Sequence, residues 1–406
     1  WIAAIGLVVL TALYTIFGGM KSVLYTSVLQ TPILLLGSLI ILVLGFKELG
    51  GWDEMMRVCG AVTVNDYGDT MTNLIRSNDD ANFPWLGALI GSAIIGFWYW
   101  CTDQFIVQRV LSGKNEMEAR RGTIFGAYLK LLPVFLFLIP GMIAFALHQK
   151  YIGAGGEGFL PMLENGTANA DAAFPTLVAK LLPAGVKGLV VCGILAALMS
   201  SLASLFNSSA MLFTIDFYKR FRPQTSEKKL VGIGQVATVV IVILGILWIP
   251  IMRSVGDVLY TYLQDVQSVL APGIAAAFLL GICWKRTSAQ GGMWGLISGM
   301  VIGLTRLGAK VYYSNAGEVA DSTFKYLFYD MNWLFFCGWM FLFCIIVVIV
   351  VSLATEAPTA EKIQGLVFGT ATKEQKASTR ASWNHWDIIH TVIILAITGA
   401  FYWYFW

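Results

Sequence analysis

One apolar stretch of the sequence carries a row of small hydroxyl side chains. Ala197, Ser200, Ser201, Ser204 and Ser208 are spaced so that they fall on one face of a helix. Hydroxyl and backbone carbonyl oxygens are hard ligands, which suit a small hard cation. The same residues also allow close helix packing, because small side chains let backbones approach and serine hydroxyls bond between helices. The row therefore predicts either a cation site or a tight helix contact.

A single basic residue interrupts another apolar stretch. Lys130 lies between Leu129 and Leu131, three residues before Pro133. A lysine near the centre of a membrane span costs roughly 2.5–3.5 kcal/mol on insertion scales. We therefore expect Lys130 either to face a partner or a water-filled cavity, or to extend its long stem to the membrane surface.

Two further segments combine polar and aromatic groups. Tyr260 precedes Gln264, Asp265 and Gln267, and the two glutamines lie one helical turn apart, where they could face a solute together. Asp265 could equally be solvated at the membrane surface. The segment Trp98–Gln104 is an aromatic cluster followed by polar residues, which fits either an interfacial aromatic belt or a surface that stacks on a sugar ring.

Residues for enzyme chemistry do not form a recognisable arrangement in this sequence. The 6 cysteines are scattered without a CxxC pair, and His148, His385 and His390 lack metal-ligand spacing. No nucleophile, base and acid occur in a catalytic pattern. We therefore predict that the chain is not an enzyme.

The elements that position these residues are membrane helices. The chain has 406 residues, of which 57% are hydrophobic and 13% charged, with a mean hydropathy of +0.71. These values exclude an ordinary soluble enzyme, a disordered chain and a nucleic-acid binder. A span needs about 20 apolar residues, and ten candidates occur, near 1–17, 28–46, 84–101, 123–147, 187–215, 231–251, 262–284, 291–309, 333–354 and 386–406. Runs of this length predict an all-α polytopic membrane protein, because barrel strands are shorter and alternate.

The charges of the connecting loops predict an orientation. Loops 18–27, 102–122, 216–230, 285–290 and 355–385 hold more than half of the 27 Lys and Arg, which places them in the cytoplasm. The sequence begins at Trp1 inside an apolar run and without a signal peptide, so we expect that an N-terminal part of the protein precedes it. A glycine stripe, Gly291, Gly295, Gly299 and Gly303, predicts close helix packing.

Several of these segments together resemble the sodium/solute symporter family, in its sodium–glucose cotransporter branch. The resemblance runs from the start of the chain to about residue 300, and more loosely to the end. It is carried by Thr11–Gly19, Trp98–Gln104, Tyr128–Leu131, Ala197–Leu202, Tyr262–Gln264 and Ala271–Pro272. The family implies the LeuT-type inverted-repeat fold, with binding sites near the midplane at broken helices. It also implies that residues 1–284 form core helices 4 to 10, that 285–406 add three C-terminal helices, and that the first core helix is missing.

The resemblance also implies roles for individual residues. Ala197, through its carbonyl, and the hydroxyls of Ser200 and Ser201 match the family's sodium site. Lys130 and Gln264 match positions that contact the sugar. Tyr99 matches the aromatic residue that closes the inner side of the sugar pocket with Trp100 beside it, and Tyr260 matches an aromatic residue of the outer gate. Some positions depart from the pattern: Ala203 stands where two-sodium relatives have threonine, which favours one sodium per solute, and Gly96 and Gln267 replace polar neighbours of the sugar.

The expected function is the sodium-coupled import of a neutral sugar, similar to glucose or galactose, by alternating access. Na+ would be the co-transported ion, and the partners would be the sugar and the lipid bilayer of the plasma or inner membrane, without nucleic acid. The alternatives are a symporter of the same family for inositol, sialic acid or another small metabolite, a sugar sensor that does not transport, and a channel.

Overall fold

The apolar runs of the sequence are helices in the computed structural model of the chain. The structure describes residues 2–163, 166–253, 259–315 and 320–406, with some side chains of α1 and of residues 248–262 left undescribed. The helices are α1 (Ile2–Leu49), α2 (Trp52–Gly60), α3 (Trp85–Cys101), α4 (Gln104–Leu111), α5 (Glu116–Gly153), α6 (Ala173–Leu181), α7 (Ala184–Phe221), α8 (Glu227–Arg253), α9 (Leu259–Cys283), α10 (Ala289–Asn315), α11 (Trp333–Ala354), α12 (Lys373–Ala381) and α13 (His385–Tyr404). The described residues form isolated β-bridges but no strand, which confirms the predicted all-α class.

The number of membrane spans differs from the ten that the sequence predicted. Within the described residues, seven helices are long and apolar enough to cross a bilayer, or eight if the bent pair α3 and α4 forms one span. The runs 1–17 and 28–46 belong to one helix, α1, because Gly18-Gly19 does not end it and Pro32 lies inside it. The run 291–309 is helical within α10, but Arg306 and Lys310 make that helix less apolar.

Two membrane helices are interrupted where the sequence predicted binding residues. α3 and α4 meet at a bend of 48°, and the Asp103 side chain caps α4 by accepting the Phe105 N–H at 3.0 Å. In α5, Pro133 precedes a π-helical turn over Val134–Leu138. Proline lacks the N–H that would complete the helical hydrogen bond, so the backbone is disrupted at this point.

By their internal contacts the helices form two units. The first contains residues 1–62 and 129–258, and the second contains 63–128 and 259–406. This grouping leaves the predicted boundary at residue 284, between core and additional helices, as a prediction.

In the first unit, α7 packs closely against α1. A methyl group added at Gly37 would lie 2.6 Å from Val190 Cγ2, and one added at Gly193 would lie 3.1 Å from Ile33. Further along, Phe206 of α7 packs with Ala12 of α1 and with Val242 of α8 in one buried cluster. These contacts fix which face of α7 is covered.

In the second unit, the glycine stripe of α10 forms a seam with α9 and α11. A methyl group at Gly299 would lie 2.9 Å from the Cα of Gly273, and one at Gly303 would lie 2.5 Å from the Val269 carbonyl oxygen. Gly291 and Gly295 meet α11, where added methyl groups would collide with Ser352 and Val348. The predicted close packing is thereby confirmed, and it brings α9 and α10 into backbone contact.

In the second unit, loops that the charge pattern assigns to the same side of the membrane contact one another. Asn332 Nδ2 donates to the Ala81 carbonyl at 2.7 Å, and the Leu74 N–H donates to the Phe405 carbonyl at 2.8 Å. At the other end, Arg286 Nη2 donates to the Thr355 carbonyl at 2.7 Å. The predicted outer loops therefore share one end of this unit and the predicted inner loops share the other, while the assignment of either end to the cytoplasm stays a prediction.

Candidate functional site

The hydroxyl row of α7 is divided between buried and exposed positions. Ser200, Ser204 and Ser208 are buried, Ala197 is partly buried, and Ser201 is exposed. Ser208 Oγ donates to the Leu205 carbonyl at 3.0 Å, within its own helix. Helix geometry places Ser200 and Ser201 about 100° apart, so the pair offers one hydroxyl toward the packed interior and one toward the open side of α7.

The predicted solute lysine lies beside the interruption of α5. Lys130 is exposed and three residues ahead of Pro133, where the π-helical turn begins. An interrupted membrane helix leaves backbone polar groups that neighbouring side chains or a polar cavity must satisfy. The position of Lys130 next to such a break matches the setting that the resemblance implied, and its role stays a prediction.

The aromatic residues lie at the other interrupted helix. Tyr99 is partly buried near the end of α3, and its ring meets that of Trp100 edge-on at 5.3 Å between centroids. Trp98 packs against the cluster in which Ile95 of α3 meets Ala271 of α9. The bend after α3 therefore places Tyr99 and Trp100 at the end of a helix that is anchored on α9.

The amide and the gate residue predicted for the solute lie near the start of α9. Gln264 is partly buried, and it falls on the same helical face as Ala271 and Ala275, which pack against α3. Tyr260 lies in the first turn of α9, and its side chain is outside the described residues.

The predicted residues therefore occupy two separate parts of the structure. Ala197, Ser200, Ser201 and Lys130 belong to the first unit, and Tyr99, Trp100, Tyr260 and Gln264 belong to the second. Each set lies at a helix interruption or on an otherwise apolar helix, and the assignment of roles to both sets stays a prediction.

Asp265 lies in an ion cluster that was not predicted from the sequence. Lys310 Nζ donates to Asp265 Oδ2 at 2.6 Å, and Arg306 Nη2 lies 3.6 Å from Asp265 Oδ1. The Arg306 side chain is 0% exposed, that of Asp265 13% and that of Lys310 33%. The interpretation of Asp265 as a solvated surface carboxylate is therefore wrong, because α10 covers it and supplies two cations.

Arg306 is held from several directions at once. Its Nη2 donates to the Met331 carbonyl at 2.8 Å and its Nη1 to the Leu327 carbonyl at 3.3 Å. The guanidinium carbon also lies 4.1 Å from the centre of the Phe336 ring. Carbonyl oxygens and the aromatic face stabilise the buried charge. The cluster thus joins the start of α9, next to Gln264, to α10 and to the segment that precedes α11.

A signal for this cluster was present in the sequence. Arg306 and Lys310 are four residues apart in an otherwise apolar run, so they lie on one helical face. Basic residues within a membrane helix require compensation, and Asp265 is the acidic residue within the neighbouring apolar run.

Comparison with known proteins identifies the family. Residues 1–299 match the model of the Sodium:solute symporter family. The chain belongs to this family. It is 36% identical over 381 residues to the human Sodium/myo-inositol cotransporter 2, covering 91% of this chain and 56% of that protein. It is 35% identical over 432 residues to a sodium/mannose cotransporter of Bos taurus, covering 100% of this chain and 71% of that protein.

A solved structure shows the same fold. A Na+-coupled sialic acid symporter in its substrate-bound outward-open state aligns with a TM-score of 0.64 and 20% identity, covering 87% of this chain and 66% of that one. The likeness confirms the predicted LeuT-type fold. Family membership and the long apolar helices together indicate a multi-pass membrane protein. The chain spans little more than half the length of its human myo-inositol relative.

Proposed function

We propose that the protein is a sodium-coupled symporter that imports a neutral sugar or polyol, similar to glucose or galactose, by alternating access. The observation that carries this proposal is the pair of adjacent hydroxyls in α7, Ser200 buried and Ser201 exposed, in a chain of the sodium:solute symporter family. Ser200, Ser201 and the Ala197 carbonyl would supply hard oxygen ligands to one Na+. Other parts of the protein would supply the remaining ligands, and residues 1–284 would form the core.

Lys130 and Gln264 would bind the solute by hydrogen bonds. An ammonium donates only, whereas an amide both donates and accepts, so the pair suits the hydroxyl groups of a polyol. Tyr99 and Trp100 would cover the solute on the inner side, and Tyr260 would do so on the outer side. The interruptions at Pro133 and after Cys101 would allow these contacts to change between states.

Sodium entry can supply enough free energy for accumulation. Moving one charge through 100 mV provides about 2.3 kcal/mol, and a tenfold sodium gradient adds about 1.4 kcal/mol. Together these would support roughly several-hundred-fold solute accumulation. Coupling further requires that Na+ bind the outward-open state more tightly than the inward-open state, because a ligand with equal affinity shifts no equilibrium.

Uptake into proteoliposomes tests the proposal. The full-length protein should accumulate labelled sugar only with an inward sodium gradient, and Ser201→Ala should weaken sodium activation at least tenfold. Ser209→Ala is the matched control, since Ser209 lies on the same helix outside the predicted sodium ligands. Equal sodium activation in both variants would remove Ser201 from the site.

The same assay separates the alternatives. Competition by unlabelled glucose, galactose, mannose, inositol and sialic acid would identify the solute, and the last three occur in the names of relatives. A sensor would bind a sugar without accumulating it, and a channel would conduct regardless of the sodium gradient. Either result would overturn the symporter proposal.

A further inference from the structure

The last helix of the chain stands beside a cleft. In the second unit, α13 and the N-terminal part of α5 border an open cavity of about 690 Å³. Tyr128 Oη lies 3.0 Å from His390 Nδ1, and Arg120 Nη2 donates to Ser382 Oγ at 3.2 Å, just before α13. These two contacts connect α5 with α13 and with the residue that precedes it, alongside the cavity.

Most of the cavity wall is apolar. Val110, Ala119, Ile124, Ile388 and Val392 line it. Water fills a cavity only where polar groups can bind it, so an apolar cleft between membrane helices is suited to a hydrocarbon chain. The lipid acyl chain is the hydrocarbon that the bilayer supplies.

Charged groups line the same cavity, and they come from the first turns of α5 and α13. Glu116 and Arg120 belong to α5, and Asp387 belongs to α13. Asp387 Oδ2 accepts the Asn384 N–H at 2.8 Å. The Arg120 guanidinium lines the cavity, and its Nη2 is oriented by the Ser382 hydroxyl. The cavity is therefore lined by one guanidinium and two carboxylates.

These charges select among lipid headgroups. A purely anionic headgroup would meet Arg120 but would also face Glu116 and Asp387. A choline headgroup carries both signs, but its trimethylammonium has no N–H to donate. An ethanolamine headgroup carries a phosphate for the guanidinium and an ammonium with three donors for a carboxylate.

We propose that the cleft between α5 and α13 binds one phosphatidylethanolamine molecule, with its phosphate at Arg120, its ammonium at Glu116 and an acyl chain along Ile124, Ile388 and Val392. Nearby, the Arg380 guanidinium stacks over the Trp383 ring at 4.2 Å, which is the kind of aromatic and basic pair found at a membrane surface. The bound lipid would fill the space that separates α13 from α5.

Lipid binding to the purified full-length protein tests this site. Native mass spectrometry with phosphatidylethanolamine, phosphatidylcholine and phosphatidylglycerol of identical acyl chains should show about tenfold tighter binding of the ethanolamine lipid, the ratio expected of one additional charge-assisted hydrogen bond. Equal binding of all three lipids, or tightest binding of the glycerol lipid, would overturn the proposal.

Four variants separate the headgroup contacts from the fold. Glu116→Gln should abolish the preference for ethanolamine over choline while lipid binding persists, because the phosphate contact is intact. Glu118→Gln is the matched control, since Glu118 lies in the same turn of α5 but does not line the cavity. Arg120→Gln should weaken the binding of the ethanolamine and choline lipids about tenfold. Ser382→Ala removes the hydrogen bond between Arg120 and Ser382 but keeps the charge of Arg120, so this variant should retain lipid binding.

Two other results would contradict the proposal. If Glu118→Gln changes the lipid preference as much as Glu116→Gln does, general surface charge explains it. If the protein forms a dimer that excludes lipid from the cleft, a second copy is the occupant. These measurements do not involve transport, so they stand apart from the test of the proposed function.

Discussion

Neutralising Asp265 should destabilise the second unit, because two cations depend on this carboxylate. Asp265→Asn keeps the size of the side chain but removes the charge that faces Lys310 Nζ at 2.6 Å and Arg306 Nη2 at 3.6 Å. Arg306 is fully buried, so it has no access to water in the folded protein. The variant therefore leaves a buried cluster with two positive charges and no negative one.

The size of the destabilisation depends on which groups still compensate the charges of Arg306 and Lys310 after the carboxylate is removed. Removing one partner of a fully buried ion pair costs about 3–5 kcal/mol. Arg306 keeps the Leu327 and Met331 carbonyls, and Lys310 is 33% exposed, so water screens part of its charge. We therefore expect Asp265→Asn to lower the free energy of unfolding by about 2–3 kcal/mol.

Reversible unfolding of the purified protein in mixed micelles would measure this change. Asp321→Asn is the matched control, because Asp321 pairs with Lys325 at an exposed site and its loss should leave stability nearly unchanged. The double variant Asp265→Asn with Lys310→Met should recover about 1–2 kcal/mol, since it removes the uncompensated ammonium. If Asp265→Asn changes the free energy of unfolding no more than Asp321→Asn does, the cluster does not stabilise the unit. The same conclusion would follow if the effects of the two single substitutions simply add in the double variant.

Three further predictions follow from other parts of the structure. Gly303→Ala should lower the free energy of unfolding by about 1–3 kcal/mol, because its methyl group would lie 2.5 Å from a backbone oxygen of α9. Gly308→Ala is the control: its methyl group would meet no atom within 4 Å, so this variant should not destabilise the protein. Gln264→Ala should raise the half-saturating sugar concentration in the uptake assay while sodium activation stays nearly unchanged, and equal shifts in both would contradict a solute contact. Burial alone would raise the pKa of Asp80, but hydrogen bonds from the Phe83 N–H and the Asn65 side chain help to lower it below its ordinary value. The stability that Asp80 gives the 63–84 loop should therefore be present above about pH 4 and lost as the pH falls through the lowered value, which hydrogen exchange followed over a series of decreasing pH values from pH 6 would show.

The positions of most membrane helices could be predicted because long apolar runs have few alternatives in a bilayer. The glycine stripe of α10 also gave a correct prediction, since four glycines at a spacing of four residues leave one face without side chains. The break predicted between residues 17 and 28 is wrong because glycine lowers helix stability by only about 1 kcal/mol and does not by itself end a helix.

The surroundings of the binding residues could not be predicted in the same way. Helical spacing placed Ser200 and Ser201 near one face, but only the packing of α1 and α8 on α7 decides which hydroxyl is buried. The partner of Asp265 is Lys310, 45 positions further along the chain. Contacts over such separations depend on how α9 and α10 are aligned, which periodicity within either helix does not specify.

The glycine seam between α9 and α10 has a consequence for how the second unit can move. Where backbones touch at Gly273, Gly299 and Gly303, no side chain is available to change rotamer and absorb a displacement. Sliding or tilting one helix against the other would therefore have to separate the backbones themselves. Gln264 therefore lies on a rigidly packed pair of helices. Any change in the space around Gln264 must come from movement of the elements that contact this pair, and not from movement of α9 against α10.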